Sequence, residues 1–396
     1  MESGGEFSLY IHIPFCRKKC AYCDFYSVTD LSLTEEFLRA LLREIRMRGK
    51  NYDEKNQGEN HLKSLYIGGG TPSILPVWAI ETILDTVGRH WPMSRNTEIT
   101  CEINPGTVDR QYLSRLKNAG VNRLSMGIQS LDDRELAFLG RIHDKKQAVE
   151  TIDLAWGLGF ENICADIIYG IHPGSETGLH QTLAAVVDMP LTHLSCYMLT
   201  LEPGTPLYET GQQNPGLLAC GDTKTDLLVQ VSDFLTGQGL IHYEVSNFAR
   251  GPEYCSVHNQ GYWNGSAYLG LGPSAHSFSI TEDQRQIRFW NMENLAEYIS
   301  RIRQGRLPVE GTETLTREQQ MTERIMLGLR TARGIDLNGF YEDFGPCFQP
   351  KMEDLIQDLE TQNMGKKSGG FFSLNTKGWT FLDHITEIFV NTLDFP

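Results

Sequence analysis

The sequence predicts an α/β fold: a partial (β/α) barrel of the TIM type, followed by a small, winged-helix-like C-terminal α+β domain. Three observations point there. Short β-branched or aromatic runs alternate with longer segments of helical period through roughly the first two-thirds of the 396 residues, the pattern of parallel strands joined by right-handed helical crossovers. Six or seven such units follow without an obvious break, which fits a barrel better than a two-half open sheet. After about residue 290 the rhythm changes to helices followed by a hairpin.

Taken in order, SLYIHI (residues 8–13) reads as the first strand. A helix follows near TEEFLRALLREIRMR, where Phe37, Leu38, Leu41, Leu42 and Ile45 form one apolar face. Ser32 and Glu35 stand ahead of it at capping-box spacing. Further strand candidates are SLYIGGG, EITCEINP, NRLSMGIQS, NICADIIYG, THLSCYMLT and, more weakly, LIHYEVSNF. Between them lie the helical patterns VWAIETILDTVGRH, QYLSRLKNAG, QAVETIDLAWGLG and TDLLVQVSDFLTGQG. Beyond them, LTREQQMTERIMLGLRTARG and PKMEDLIQDLETQNM read as helices, and GGFFSLNTKGWTFLDHITEIF as a hairpin running into a helix. The expected division is a barrel over residues 1–290 and a second domain over 291–396, with the boundary in the polar, Gly/Ser-rich region 265–312.

Composition narrows the functional classes. The 35 Lys+Arg against 50 Asp+Glu leave a net charge of −15, which argues against a nucleic-acid partner, because phosphate affinity rests on Lys and Arg. No secretory signal opens the chain, and no apolar run approaches the ~20 residues that span a membrane. A cytoplasmic protein with reduced thiols is expected. Nine cysteines, an odd number over so long a chain, do not read as a disulfide framework.

Three of those cysteines, Cys16, Cys20 and Cys23, form a C-x3-C-x2-C arrangement directly after the first strand. Three thiolates on one short loop can wrap a cubane iron–sulfur cluster. Its irons usually take one Cys each, so three ligands leave one iron open, and an open metal position is where a substrate or cofactor enters. Zinc and coincidence stay open as alternatives. Zinc wants four tetrahedral ligands, and the formal candidate for a fourth is His12 on the preceding strand. Cys101, Cys164 and Cys196 lie in strand patterns and read as core residues, while Cys220, Cys255 and Cys347 have no partner spacing. The basic stretch Arg39, Arg43, Arg46 and Arg48 reads as the solvated face of its helix.

With Tyr22 before its last cysteine, the loop resembles the radical S-adenosylmethionine (SAM) signature, and YIHIPFC is similar to the oxygen-independent coproporphyrinogen III oxidase branch. The likeness runs over roughly residues 8–380. It implies a [4Fe–4S] cluster on Cys16, Cys20 and Cys23, with SAM chelating the open iron. One-electron cleavage of the sulfonium would give a 5′-deoxyadenosyl radical, the protein supplying position and electrostatics. By position in the family, Gly69, Gly70 and Thr71 of GGGTPS would hold the methionine amino group. Glu102, Gln129, Arg141 and Asp166 match SAM-binding positions, and Tyr10 and Tyr22 match the aromatics flanking the cluster. The set is chemically coherent: carboxylates suit ribose hydroxyls and an ammonium, and Arg a carboxylate.

Two departures separate the chain from the oxidase. Phe25 stands where that enzyme has an additional Cys, and no N-terminal extension precedes the first strand. VHNQGYWNG instead carries His258, Asn259, Tyr262 and Trp263 in an HN-x-x-YW pattern similar to the HemW haem-chaperone group. That likeness implies binding haem and passing it to haem-requiring proteins, respiratory enzymes among them, with flavodoxin or ferredoxin as electron donor. His258 is the candidate haem ligand, with Tyr262 and Trp263 stacking on the macrocycle; His276 is a weaker second candidate. The expected function is therefore a haem chaperone rather than a coproporphyrinogen dehydrogenase. The alternatives are the oxidase itself and, less favoured, a radical methyltransferase acting on haem.

Overall fold

The computed structural model describes residues 6–56, 61–171, 176–214 and 222–392; the expected bystander Cys220 lies outside them. Six strands run parallel and side by side in chain order: β1 (Phe7–Ile13), β2 (Leu62–Gly69), β3 (Met93–Ile103), β4 (Arg123–Gln129), β5 (Asn162–Tyr169) and β6 (His193–Met198). The crossovers are α1 (Thr34–Asn56), α2 (Val77–Gly88), α3 (Arg110–Asn118), α4 (Asp133–Leu139), α5 (Lys145–Gly157) and α6 (Glu176–Val187). After β6 come α7 (Pro206–Gln213) and α8 (Asp222–Gly237). Aspartates set several helix starts: Asp109 caps α3, Asp132 caps α4, and Asp144 with Gln147 forms a capping box on α5. The box expected at Ser32 and Glu35 is not what opens α1. The Ser32 N–H is bonded to the Asp30 carboxylate at 2.9 Å, and Glu35 pairs with Arg39.

Parallel strands covered on both faces usually read as continuous apolar runs. These strands alternate. Leu9 and Ile11, Leu65 and Ile67, Cys101 and Ile103, Leu124 and Met126, Ile163 and Ala165, and Leu194 and Cys196 pack with the helices in one large core. The intervening residues line the barrel: Tyr10, Ser64, Tyr66, Glu98, Glu102, Arg123, Ser125, Asp166, His193 and Ser195. Cys164 belongs to that polar lining and not to the apolar core expected for it. It contacts His193 Nδ1 at 3.0 Å and Ser195 Oγ at 3.3 Å.

The weak strand candidate at 240–248 is a hairpin of β7 (Ile241–Glu244) and β8 (Asn247–Ala249), with β8 antiparallel to β6. Next comes α9 (Val257–Trp263), then β9 (Tyr268–Leu271) beside β1, followed by β10 (His276–Ile280) and β11 (Gln286–Asn291). Then follow α10 (Leu295–Arg303) and β12 (Val309–Thr314), which completes a 12-stranded sheet. This stretch reads as a polar linker in the sequence because β12 is largely exposed with Val309 as its one apolar side chain, and β11 is only half-buried. Leu295, Tyr298, Ile299 and Ile302 of α10 nevertheless belong to the main core. The expected division after residue 290 falls within the last two residues of β11.

A second core joins Leu228 of α8 to Met321, Ile325 and Leu329 of α11 (Arg317–Leu329). It continues through β13 (Ile335–Asp336), α12 (Leu337–Phe344), α13 (Gln349–Thr361), β14 (Gly365–Ser368), β15 (Phe371–Leu374), α14 (Thr376–Trp379) and α15 (Leu382–Thr392). Its three-stranded sheet, in the order β13-β15-β14, with the flanking helices is the expected small α+β unit.

The face of α1 read as solvated is only partly so. Glu44 is fully buried and accepts hydrogen bonds from Gly272 N–H (2.9 Å), Asn291 Nδ2 (2.7 Å) and the Tyr298 hydroxyl (2.7 Å). Arg48 lies 3.9 Å from it and 4.9 Å over the Phe289 ring. One carboxylate thus ties α1 to the β9–β10 connection, β11 and α10. Glu44→Ala strands these donors and is expected to cost about 3–5 kcal/mol, measured by urea unfolding of the metal-free protein. A loss under about 1 kcal/mol, the scale of an exposed ion pair, would refute this role.

Candidate functional site

The carboxyl ends of the parallel strands open on one cavity of ≈ 520 Å³, the end where barrels gather their chemistry. The loop after β1 forms one wall. Its base is closed by Cys16 N–H to Val28 O (2.9 Å) and Val28 N–H to Pro14 O (2.7 Å), while Phe15 is buried edge-on against Phe37. Ala21 N–H bonds Leu139 O at 3.2 Å, and Ala21 O accepts from Leu207 N–H at 2.9 Å. The loop is therefore held from three sides. Cys16, Cys20, Tyr22 and Cys23 all line the cavity.

The glycine-rich loop after β2 lies against it. Gly70 N–H bonds Ile13 O and Thr71 N–H bonds Phe15 O, both at 2.8 Å. A Cβ on Gly70 would come within 2.6 Å of the Phe15 carbonyl oxygen, and Gly69 has φ +110°, so only glycine fits either position without strain. Polar bonds join the two loops. Asn104 Nδ2 donates to Thr71 Oγ1 (3.0 Å), and the Thr71 hydroxyl shares a hydrogen bond with Cys16 Sγ, 3.6 Å away. Asn104 Oδ1 accepts from Arg141 Nη2 at 2.6 Å, and Arg141 Nη1 donates to Cys20 Sγ at 3.4 Å. Two of the three sulfurs thus have hydrogen-bond partners on the neighbouring loops. Burial pushes the Cys23 thiol up.

Deeper in, Glu102 accepts from the Tyr66 hydroxyl (2.8 Å) and from Gly69 N–H (3.1 Å), and burial raises it to about 7. Burial raises Asp166 too, against the pull of Arg123; Ser125 Oγ donates to it at 3.3 Å. Although Asp166 sits inside its strand, the cavity is deep enough to reach it. Gln129 has φ +70° at a register shift in β4. Left-handed backbone costs a non-glycine residue roughly 1–2 kcal/mol, and such strain collects where a side chain must be aimed at a site.

The cavity therefore gathers Tyr22, Gly69, Gly70, Thr71, Glu102, Gln129, Arg141 and Asp166 around the three cysteines. Tyr10 is not among its lining residues: it lies one strand from Tyr66, its hydroxyl bonded to His12 Nδ1 at 3.0 Å. His12 places its other nitrogen 2.9 Å from Tyr26 O and is no fourth ligand in this arrangement. Asn104, Tyr66, Arg123 and Ser125 line the cavity without having been singled out in the sequence. Alternation along β2 and β4 carries a signal for Tyr66, Arg123 and Ser125; Asn104, beyond the end of β3, shows none. Among the described residues no group of three or more His, Cys, Asp or Glu side chains converges on a single metal-ion position.

The HN-x-x-YW residues lie elsewhere. His258 is buried in the barrel floor with both ring nitrogens engaged, Nδ1 with Ser64 Oγ (2.9 Å) and Nε2 with the Tyr262 hydroxyl (2.9 Å). It stacks on Tyr66 at 5.0 Å, and burial pushes its pKa down to about 3. The expectation of His258 as an iron ligand meets an obstacle here, because ligation would break one of these bonds. Tyr262 is enclosed between His258 and Tyr268. Asn259 lines the upper cavity, whereas Trp263 faces a separate cleft toward the C-terminal unit. His276, exposed at the start of β10, stacks on Trp290.

This fold and loop arrangement define a radical SAM protein, and residues 10–185 match the radical SAM superfamily while residues 315–381 match the HemN C-terminal domain. The chain is 31% identical to the heme chaperone HemW of Bacillus subtilis, over 98% of this chain and 100% of that one. It is also 31% identical to the heme chaperone HemW of Escherichia coli, over 97% and 98% of the two chains. Coproporphyrinogen III oxidase (HemN) from Escherichia coli, at 22% identity, shares the fold with a TM-score of 0.81 over 98% of this chain and 90% of that one. The chain belongs to the HemW family of radical SAM proteins.

The raised Glu102 gives a pH test. A carboxyl raised on folding binds more protons folded than unfolded, so its contribution to stability is full below the unfolded pKa, near 4.3, and is lost as pH rises toward about 7. Denaturation of the metal-free protein between pH 4.5 and 8 should therefore show a smaller loss for Glu102→Gln than for wild type. Parallel pH curves for the two would remove this assignment.

Proposed function

We propose that the protein holds a [4Fe–4S] cluster on Cys16, Cys20 and Cys23, binds SAM in the adjoining cavity, and carries haem to haem-requiring proteins. The observation behind the first part is the convergence of the cysteine loop, the glycine loop and the polar strand ends on one cavity. The donor set suits the group: three thiols, two of them with hydrogen-bond partners, at a backbone-pinned loop. When bound, the cluster and SAM supply one-electron chemistry; the protein's residues supply position. Arg141 and Thr71 hold Cys20 and Cys16 in place through hydrogen bonds to their sulfurs. Gly69 and Gly70 clear room for the methionine end. Glu102 and Asp166 offer acceptors for hydroxyls or an ammonium, and Gln129 offers both donor and acceptor. Tyr22 covers the cluster side. Exposed Arg17, Lys18 and Lys19 at the mouth suit an acidic electron donor such as flavodoxin or ferredoxin.

The chaperone part rests on the family and on Phe25, 70% exposed at the cavity mouth where the resemblance places an additional cysteine in the oxidase. Among the described residues no helix is long and apolar enough to cross a membrane.

Anaerobic reconstitution should give about four irons per chain, and replacing Cys16, Cys20 and Cys23 together by Ala should abolish the cluster's charge-transfer absorption. Iron and absorption retained in the triple variant would sink the cluster assignment. Incubation of the reconstituted protein with coproporphyrinogen III and with haem, in parallel, separates the two activities. Stoichiometric haem retention without a decarboxylated product is expected; turnover of coproporphyrinogen would favour the oxidase.

A further inference from the structure

We propose that the haem-like cargo, a flat apolar macrocycle carrying carboxylates, seats in the cleft between the outer sheet strands and the C-terminal unit, against Trp263. It is held there by aromatic contact and arginine pairing, without ligation by His258. This rests on the reading above that the protein carries haem, and deepens it by naming the site. The cleft has a volume of ≈ 540 Å³, within the ~300–1,000 Å³ of small-molecule sites. Phe278 and Ile280 of β10 form one side, Phe344 and Phe371 of the C-terminal unit the other, and Trp263 one end. Trp263 also carries a buried indole N–H with no hydrogen-bond partner, unusual for a side chain that normally finds one. Arg330 lies over its ring at 5.2 Å.

The lining carries two arginines, Arg324 and Arg333, and two carboxylates, Glu323 and Asp336. The two carboxylates lining the cleft are both engaged: Glu323 pairs with Arg288 at 2.6 Å, and Asp336 caps α12 through Gly339 N–H at 3.1 Å. Arg333 lies 4.6 Å over the Phe371 ring and makes no ion pair among the described residues. Arg324 makes only a half-exposed pair with Asp343, worth about 1 kcal/mol or less and open to exchange. In a chain of net charge −15, this is an aromatic slot in which two arginines balance two carboxylates and Arg333 is free to meet an anion. Among the described residues that line it there is no His, Cys or Met, so the cleft supplies none of the usual iron ligands. The ring itself is the recognised feature, and iron contributes little.

That consequence is testable on the full-length reconstituted protein. Haem and iron-free protoporphyrin are titrated in parallel, followed by tryptophan fluorescence quenching and Soret absorbance. Similar affinities are expected, within about threefold. Arg324→Glu with Arg333→Glu should weaken both ligands at least ~10-fold, as for loss of charge-assisted pairing, with recovery in the double Lys variant. Trp263→Phe should remove much of the quenching, and His258→Gln should leave affinity and Soret position unchanged. Haem binding more than ~10-fold tighter than porphyrin and lost in His258→Gln would overturn the site in favour of His258. Unchanged binding in the double Glu variant would overturn it as well. If wild-type protein binds neither ligand, the haem reading fails first and this site with it.

Discussion

The structure depends on one constraint: a six-stranded parallel sheet that turns polar side chains inward must find partners for most of them away from bulk water. An unpaired buried polar group costs kilocalories, and a buried charge more. Arg123 and Glu98 face each other across the barrel floor at 3.9 Å, both almost wholly buried. The helix α9 completes the pairing. Val257 and His258 N–H groups donate to the two Glu98 oxygens at 3.0 Å, His258 bridges Ser64 and Tyr262, and Tyr243 joins His193 to the start of α9. The HN-x-x-YW segment is thereby the plug of the barrel, and its histidine is a structural bridge.

With the floor closed, the same alternation two or four residues further along the strands delivers Tyr66, Glu102, Ser125 and Asp166 to an open cavity. Floor and site are two levels of one inward face. The loops then set the upper level. Backbone bonds from Gly70 and Thr71 to Ile13 and Phe15 fix the glycine loop against the cysteine loop before any cofactor arrives. Arg141, from the α4–α5 connection, reaches Asn104 and Cys20 together. Preorganisation of this kind belongs to sites whose ligands bring their own chemistry.

Much of this was legible in sequence, for identifiable reasons. The cysteine and glycine loops are contiguous, so their spacing is visible directly. The parallel strands show through their alternation, and the helices between them through their period. What stayed hidden was non-local. The strands β9 and β10 are only four and five residues long and β12 is polar and largely exposed, so a sheet extension looks like a linker. Asn104 shows no periodic signal, because its role arises only where the glycine loop and Arg141 meet. Cys164 reads as core in a strand pattern, yet register turns it to the polar side.

By itself, the sequence determined the cysteine triad, the glycine loop, the order of strands and helices, and a family likeness strong enough to name candidate ligands, because each is a local pattern of residue type and spacing. Only the tertiary structure decided which of those candidates meet. Curvature of the sheet brings Glu102, Gln129, Arg141 and Asp166 to one cavity and keeps Tyr10 below it. The packing of α9 into the floor closes both nitrogens of His258 while leaving Trp263 on a second cleft. Hydrogen-bond satisfaction on the inner face of a partial barrel is a property of the whole sheet, and no window of sequence contains it.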